Sequence, residues 1–171
     1  MKKVQQYWVH VFNQRKIHLT NGDGLMKALL EANYASLCAQ YGLNCEEITP
    51  ALLHLKLVTG PEGMAPFFLL KYRPDNQSPL VIYSWDVGKE AGAQWLREAK
   101  AHAQQSDVSS HLAKTREIFG VSLRSDQLAD MGLILAYEIA RWGAAEGEGM
   151  VYGLDGIWYR LNRHLAFLPL V

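Results

Sequence analysis

The segment that most constrains the fold is residues 4–12, close to the N-terminus. It is rich in β-branched and aromatic side chains, and its apolar positions do not keep to one face. The two alternating sets are Tyr7, Val9 and Val11 against Trp8, His10 and Phe12. A period of two with apolar side chains at odd and even positions predicts a strand that is apolar on both faces.

Size and composition indicate that the strand belongs to one compact domain. The chain has 171 residues, of which 49% are hydrophobic and 20% are charged. That length supports one domain with a substantial core and is short for two domains of ordinary size. The composition also differs from that of disordered or collagen-like chains. We therefore expect a single domain over residues 1–171.

The first half of the chain predicts one helix and three further strands. Turn residues precede a helix over residues 23–41, which carries Asn33 in its apolar stripe and ends at Gly42. Three apolar runs follow at residues 52–58, 67–73 and 80–85, with short turn clusters between them. Connections this short predict an antiparallel meander, since a parallel crossover needs a dozen or more residues.

The second half predicts three helices and a hairpin. Helical spacing runs through residues 86–103 and 108–119, where Gly120 ends the pattern, and again through residues 125–142, with Ser125 as the expected N-cap. Asp155-Gly156 then separates two β-like runs, which is a strong hairpin signal. The last seven residues are mostly apolar, so we expect them to be buried.

This order of elements predicts the α+β class. The sheet is expected to be antiparallel or mixed and to contain the N-terminal strand, the central meander and the C-terminal hairpin. About four helices are expected to pack on it.

Sequence motifs for common cofactors and nucleophiles are absent. No Gly-rich loop ends in Gly-Lys-Ser/Thr, no Gly-x-Ser-x-Gly elbow occurs, and the histidines lack the spacing of a metalloprotease helix. Cys38 and Cys45 are the only cysteines, with no second pair to complete a four-ligand zinc site. We interpret them as reduced structural thiols, with a local disulfide as the alternative. We expect neither a cofactor nor a metal.

Four polar residues are candidates for general acid–base chemistry. They carry a carboxylate or an imidazole in or near apolar segments: Glu138, Asp86, His102 and His111. Each also has a structural interpretation, because Glu138 can pair with Arg141, Asp86 can cap the following helix, and histidines often bond to backbone groups. They support an enzyme only if the fold brings them into one cleft.

Aromatic and arginine side chains concentrate around the predicted hairpin. The group consists of Tyr152, Trp158, Tyr159, Arg160 and Arg163. Aromatic and arginine side chains dominate the binding energy of protein interfaces. We predict a protein-binding surface here, with ordinary cross-strand packing as the alternative.

The charge distribution disfavours a nucleic-acid partner. Lys plus Arg number 17 and Asp plus Glu also number 17, whereas a general nucleic-acid binder needs a basic surplus. Residues 1–20 are basic, while residues 21–63 and 126–149 are acidic. If the acidic segments share a surface, they would attract a basic protein partner.

The sequence predicts a cytoplasmic protein and leaves three functional classes open. No apolar run approaches the length of a membrane span, and residues 1–12 lack the apolar core and cleavage site of a signal peptide. The leading hypothesis is a non-catalytic protein-binding module, such as an inhibitor or immunity-type protein that neutralises its partner. The alternatives are a small hydrolase-like enzyme and a small-ligand sensor with a pocket between the meander and the helices of Trp95 and Trp142.

Overall fold

The computed structural model describes residues 5–17, 22–42, 46, 48–60, 67–75 and 77–171. In chain order the elements are β1 (Gln6–Asn13), α1 (Asp23–Glu31), α2 (Tyr34–Tyr41), α3 (Ile48–Leu53), β2 (Lys56–Thr59), β3 (Phe67–Lys71), β4 (Leu80–Asp86), α4 (Glu90–His102), α5 (Ser106–Ala113), β5 (Glu117–Arg124), a 3₁₀ helix (Ser125–Ala129), α6 (Met131–Gly147), β6 (Gly149–Tyr152), β7 (Trp158–Leu161) and β8 (Phe167–Leu170).

The strands form one antiparallel sheet with β1 in its interior. The order across the sheet is β2-β3-β4-β5-β1-β6-β7-β8, and every neighbouring pair is antiparallel. The predicted α+β class is therefore confirmed. Strand β1 is also apolar on both faces as expected, with Val9 and Val11 buried on one face and Phe12 on the other.

Helices cover both faces of the sheet, which gives three layers. On the first face α6 packs against β1, β5 and β6, and α1 and α2 contact α6. On the second face α4 and α5 pack over Phe12, Ile118 and Met150. The two cores are separated by the sheet, so α4 and α6 lie on opposite sides of it.

Two predicted supersecondary units are confirmed. Strands β2, β3 and β4 form the antiparallel meander, and β6 and β7 form the hairpin. At the hairpin turn the Gly156 amide donates to the Gly153 carbonyl over 3.1 Å, and Gly156 has φ +75°. This is the left-handed conformation that glycine adopts most easily, as the Asp-Gly signal implies.

The expected continuous helix over residues 23–41 is wrong, because the chain breaks before Tyr34. Asn33 is the N-cap of α2, where its side chain accepts from the Ser36 amide over 3.3 Å. Asparagine is among the best N-cap residues, and this local bond outweighs the continuous apolar stripe. The broken helix and the short α3 raise the count to six α-helices in the described residues.

The strand expected at residues 52–58 begins later than predicted. Residues up to Leu53 belong to α3, and β2 begins only at Lys56. Pro50 is the third residue of α3, within the first turn, where the missing amide hydrogen of proline has no cost.

The helix expected to reach Phe119 is wrong as well. Residues 117–124 form β5, the strand between β4 and β1. Its odd and even side chains are buried on opposite faces, as Ile118 and Phe119 show. The helix expected from Ser125 instead begins at Met131, where Asp130 is the N-cap and accepts from the Gly132 amide over 2.7 Å.

The C-terminal residues form an edge strand, so the expectation that they are buried is also wrong. Leu168 and Val171 are exposed. The Asn162 amide donates to the Ala166 carbonyl over 2.9 Å, so these two residues form a hydrogen-bonded pair between β7 and β8. Because hydrogen-bonded pairs alternate along antiparallel strands, the backbone nitrogen of Pro169 points away from β7, towards the free edge. Because proline has no amide hydrogen to offer there, it disfavours the addition of another strand.

Among the described helices, none has both the length and the apolar character needed to cross a bilayer.

Candidate functional site

A row of paired residues crosses the second face of the sheet and organises that surface. Adjacent members are direct register partners in neighbouring strands from β3 to β7. In order they are Phe67, Tyr83, Gly120, His10, Tyr152 and Trp158. Partners across an antiparallel pair present their side chains to the same face of the sheet. Every member of the row except Gly120 carries an aromatic ring, so the row is a nearly continuous line of rings on that face.

Gly120 interrupts this row and leaves room for two rings. A Cβ atom at Gly120 would lie 2.8 Å from Cζ3 of Trp85 and 3.3 Å from Cδ2 of His10. Trp85 in turn packs against Trp95 of α4, with ring centroids 5.8 Å apart. The missing side chain therefore lets the aromatic groups of sheet and helix come together.

Helix α4 lies over the row and forms with it a half-open cavity of about 170 Å³. Its lining residues on α4 have i, i+3, i+4 and i+7 spacing, which places them on one face of the helix. These are Trp95, Glu98, Ala99 and His102. The sheet contributes His10 and Phe12 from β1, Tyr152 from β6 and Trp158 from β7. We call this space the α4 cavity.

Ring contacts hold the walls of the α4 cavity in place. The centroids of His10 and Trp95 are 4.6 Å apart, and those of Tyr152 and Trp158 are 4.8 Å apart. Phe12 lies 5.1 Å from Trp158 by the same measure. These separations are in the range of favourable tilted aromatic pairs, so the walls are mutually supported.

His10 is a buried and uncharged member of the cavity wall. The residue is 7% exposed, and its Nε2 atom has no hydrogen-bond partner among the described residues. Burial lowers its pKa to about 4, because a charged imidazolium is poorly solvated between the rings. His10 therefore contributes no positive charge to the cavity at neutral pH.

The one carboxylate among the described lining residues belongs to Glu98. This side chain is exposed at the rim, and its Oε1 atom accepts from Nε2 of Gln94 over 3.2 Å, one helical turn earlier. The described lining includes no Ser, Thr, Cys or Lys side chain. Among the described lining residues the chemistry is therefore aromatic, with the imidazoles of His10 and His102 and one carboxylate at the edge.

A second depression of about 340 Å³ adjoins the α4 cavity. The two share His102, Tyr152 and Trp158, and the second is also lined by Gln104 and Gln105. A molecule whose apolar end fills the α4 cavity can therefore extend over a more polar surface.

The four acid–base candidates do not meet in one cleft. Glu138 belongs to α6 on the first face of the sheet, whereas His102 and His111 belong to α4 and α5 on the second face. Of the four, only His102 lines the α4 cavity.

The structural interpretation of Glu138 is confirmed, because its carboxylate bonds to the Arg141 guanidinium. Its second oxygen, Oε1, is buried and has no partner among the described residues, and burial raises the pKa of the Glu138 carboxyl. Glu138 therefore acts as a buried, paired carboxylate in the helix layer.

His111 and Asp86 are also engaged in structural bonds. Nε2 of His111 lies 2.6 Å from the Phe12 carbonyl and Nδ1 lies 3.0 Å from Nε2 of Gln14, so this ring joins α5 to β1. Asp86 pairs with Lys16 and accepts from the Gly88 amide over 2.8 Å, and these bonds lower its pKa. The expectation that Asp86 caps α4 is wrong, because the cap position is Lys89.

The predicted hairpin surface is divided between the two faces of the sheet. Tyr152 and Trp158 lie on the second face as part of the α4 cavity, and Trp158 is buried. Tyr159 lies on the first face, where it bonds to Asp155 and packs against Phe167. Arg160 and Arg163 are exposed. The five residues therefore do not form one continuous surface.

Arginines from other segments accompany the acidic residues of segment 126–149. Arg73 pairs with Asp126 and Asp130, and the carboxylate of Glu148 lies 3.5 Å from the guanidinium of Arg15. Asp126, Asp130 and Glu148 are therefore paired with arginines, and an acidic surface shared by segments 21–63 and 126–149 stays a prediction.

Sequence reasoning did not assemble the α4 cavity, although it named His102, Tyr152 and Trp158 for other roles. It placed a ligand pocket between the meander and the helices of Trp95 and Trp142, but Trp142 packs on the first face with Phe119. The helical spacing of residues 95, 98, 99 and 102 is visible in the sequence. The opposing residues are not, because the register of β1, β6 and β7 brings them together.

Neither a metal centre nor a related protein identifies the site. The described residues contain no group of three or more His, Cys, Asp or Glu side chains that could hold a metal ion. Comparison of the chain with protein-family models, curated proteins and solved structures finds no match in any of the three.

Proposed function

We propose that this protein is a non-catalytic binding protein and that the α4 cavity is its ligand site. The observation that carries the proposal is the cavity itself, which is walled by Phe12, Trp95, Tyr152 and Trp158. Concave, mostly apolar spaces with a few polar groups are the usual form of small-molecule sites.

The size of the α4 cavity indicates what part of a ligand it takes. Its volume of about 170 Å³ is below the roughly 300–1,000 Å³ typical of sites for drug-sized molecules. It therefore suits a compact group of a few carbon atoms, and the adjoining depression receives the rest of the molecule.

The arrangement of polar groups favours binding over catalysis. Glu138 is separated from the cavity by the sheet, and His111 and Asp86 are engaged in structural bonds. Within the cavity, His10 stays neutral and is buried among rings. Chemistry by an acid–base pair would need two such groups placed against one substrate.

The proposal is tested by filling the cavity from the α4 side. Ala99 lines the cavity, whereas Ala101 is exposed on the same helix. We expect calorimetric titration with choline or its uncharged isostere 3,3-dimethylbutan-1-ol to show saturable binding of at least one probe to the wild-type chain. Ala101→Leu should retain that binding and Ala99→Leu should lose it. Absence of binding by both probes, or equal binding by both variants, would contradict the proposal.

A protein partner is a second candidate, favoured by the exposed surface of β7 and β8. Arg160 and Leu168 are register partners on these strands, and both are exposed. Arginine beside an exposed apolar side chain is typical of interface hot spots. This surface supports the hypothesis of an inhibitor or immunity-type protein.

The partner hypothesis is tested by substitution at Leu168. We expect a stoichiometric complex with one endogenous protein that Leu168→Asp abolishes. Leu53→Asp is the control, because Leu53 is also exposed and belongs to α3, away from β8. Recovery of the same complex with Leu168→Asp would exclude this surface.

A further inference from the structure

We infer that the α4 cavity selects a quaternary ammonium group, as in choline and similar small molecules. This inference rests on the proposed function and names the class of ligand. It follows from the geometry of the aromatic walls together with the position of the Glu98 carboxylate.

The walls present several π systems to one small space. Trp95 belongs to α4, while Phe12, Tyr152 and Trp158 project from three different strands, so the rings surround the cavity from the helix side and the sheet side. The faces of aromatic rings carry partial negative charge and attract cations, most strongly where water is excluded. A methylated ammonium combines the apolar surface that such walls require with the charge that they attract.

The charges around the cavity agree in sign with a cationic ligand. Glu98 adds a carboxylate at the rim, and the described lining has no Lys or Arg; its other ionisable side chains besides Tyr152 are the imidazoles of His10 and His102. His10 would oppose a cation if it were protonated, but its ring is buried and stays neutral at neutral pH. The cavity therefore attracts a cation from the walls and from the rim alike.

The adjoining depression suits the rest of such a molecule. It shares His102 with the α4 cavity and adds the amide side chains of Gln104 and Gln105. A polar tail a few bonds from the ammonium group can form hydrogen bonds there. We therefore assign the ligand to small molecules with a quaternary ammonium head and a short polar tail.

The inference is tested by comparing choline with 3,3-dimethylbutan-1-ol, which replaces the charged nitrogen with carbon and keeps the shape. We expect choline to bind roughly tenfold more tightly to the wild-type chain. Glu98→Gln should weaken choline binding severalfold and leave the alcohol unchanged. Glu90→Gln is the matched control, because Glu90 belongs to the first turn of the same helix and does not line the cavity.

The outcomes separate this inference from the proposed function. Equal affinity for the two probes, with both lost in Ala99→Leu, would overturn the cation assignment and keep the binding site. No binding of either probe would overturn both. A capped peptide containing trimethyllysine forms a third arm. Binding of the peptide more tightly than choline would overturn the assignment to a small molecule and place the ammonium group on a protein chain.

Discussion

His10 and Gly120 are register partners in β1 and β5, and the absence of a side chain at Gly120 leaves the space into which the His10 ring and Trp85 pack. This relationship connects the topology of the sheet with the cavity. Strand β1 presents the His10 ring under α4 with the open position of Gly120 on one side and the Tyr152 ring on the other.

The first prediction concerns Gly120. In Gly120→Ala the new Cβ would meet Cζ3 of Trp85 at 2.8 Å, so the rings must shift. We expect a loss of about 1–3 kcal/mol in the free energy of unfolding, measured by urea denaturation, and weaker probe binding. Gly24→Ala is the control, because its Cβ would meet Trp142 at an ordinary 3.7 Å and alanine favours the helix. A Gly120→Ala chain as stable as Gly24→Ala would contradict the packing described.

The second prediction concerns pH and His10. The pKa of His10 is about 4 in the folded chain and near 6.5 in the unfolded chain, so only the unfolded chain binds the proton between these values. The free energy of unfolding should therefore fall as pH falls from about 6.5 to 4, by about 3 kcal/mol from this group.

The contribution of His10 is isolated by His10→Gln, which cannot titrate. We expect the stability difference between wild type and variant to change over this pH range, as measured by denaturation at each pH. His111, whose pKa is also lowered, contributes to both chains and cancels from the difference. A difference that stays constant from pH 7 to pH 4 would show that His10 is not buried as described.

The third prediction concerns the C-terminus of α6. Glu148 has φ +52° there, in the left-handed region that favours glycine. Glu148→Gly should raise the free energy of unfolding by about 0.5–1 kcal/mol. Glu146→Gly, two residues earlier and inside the helix, should lower it by about 1 kcal/mol. Effects of the same sign in thermal or urea denaturation would place the helix end elsewhere.

The fourth prediction concerns the buried pair on α6. The side chain of Glu138 is 5% exposed, so Arg141→Met leaves the Glu138 carboxylate buried without a cationic partner. We expect the free energy of unfolding, measured by urea denaturation, to fall by about 3 kcal/mol at pH 7. The pKa of Glu138 is raised in the folded chain, so lowering the pH to 5 favours the protonated native state and should reduce that loss. The double variant Glu138→Gln/Arg141→Met has no unpaired carboxylate, so its free energy of unfolding at pH 7 should fall less than that of Arg141→Met. An equal fall in the two variants would refute the pairing.

Local signals in the sequence identified the elements that depend on local chemistry. The alternation in β1, the short turns of the meander and the Asp155-Gly156 turn each specify backbone geometry within a few residues. Strand β5 was missed because it is buried on both faces, so Phe119 also fitted a helical spacing that continued from α5. Burial on both faces follows from the neighbours β4 and β1, which periodicity does not show.

The candidate site could not be predicted from local sequence patterns, because its residues come from separate segments of the chain. Phe12, Tyr152 and Trp158 meet because three strands pair in a particular register, and α4 then packs over them. The sequence drew attention to Tyr152 and Trp158 as members of a protein-binding surface, since aromatic clustering does not distinguish a surface from a cavity wall.

The α4 cavity as a ligand site is tested most directly by fluorine NMR of the chain labelled with 5-fluorotryptophan. Trp95 and Trp158 line the cavity, whereas Trp142 lies on the opposite face of the sheet and serves as an internal reference. On titration with choline we predict saturable shifts that are largest for the Trp95 and Trp158 resonances, with the Trp142 resonance unmoved. Trp95 and Trp158 resonances that stay unmoved with both choline and 3,3-dimethylbutan-1-ol, or a largest shift at Trp142, would contradict the account.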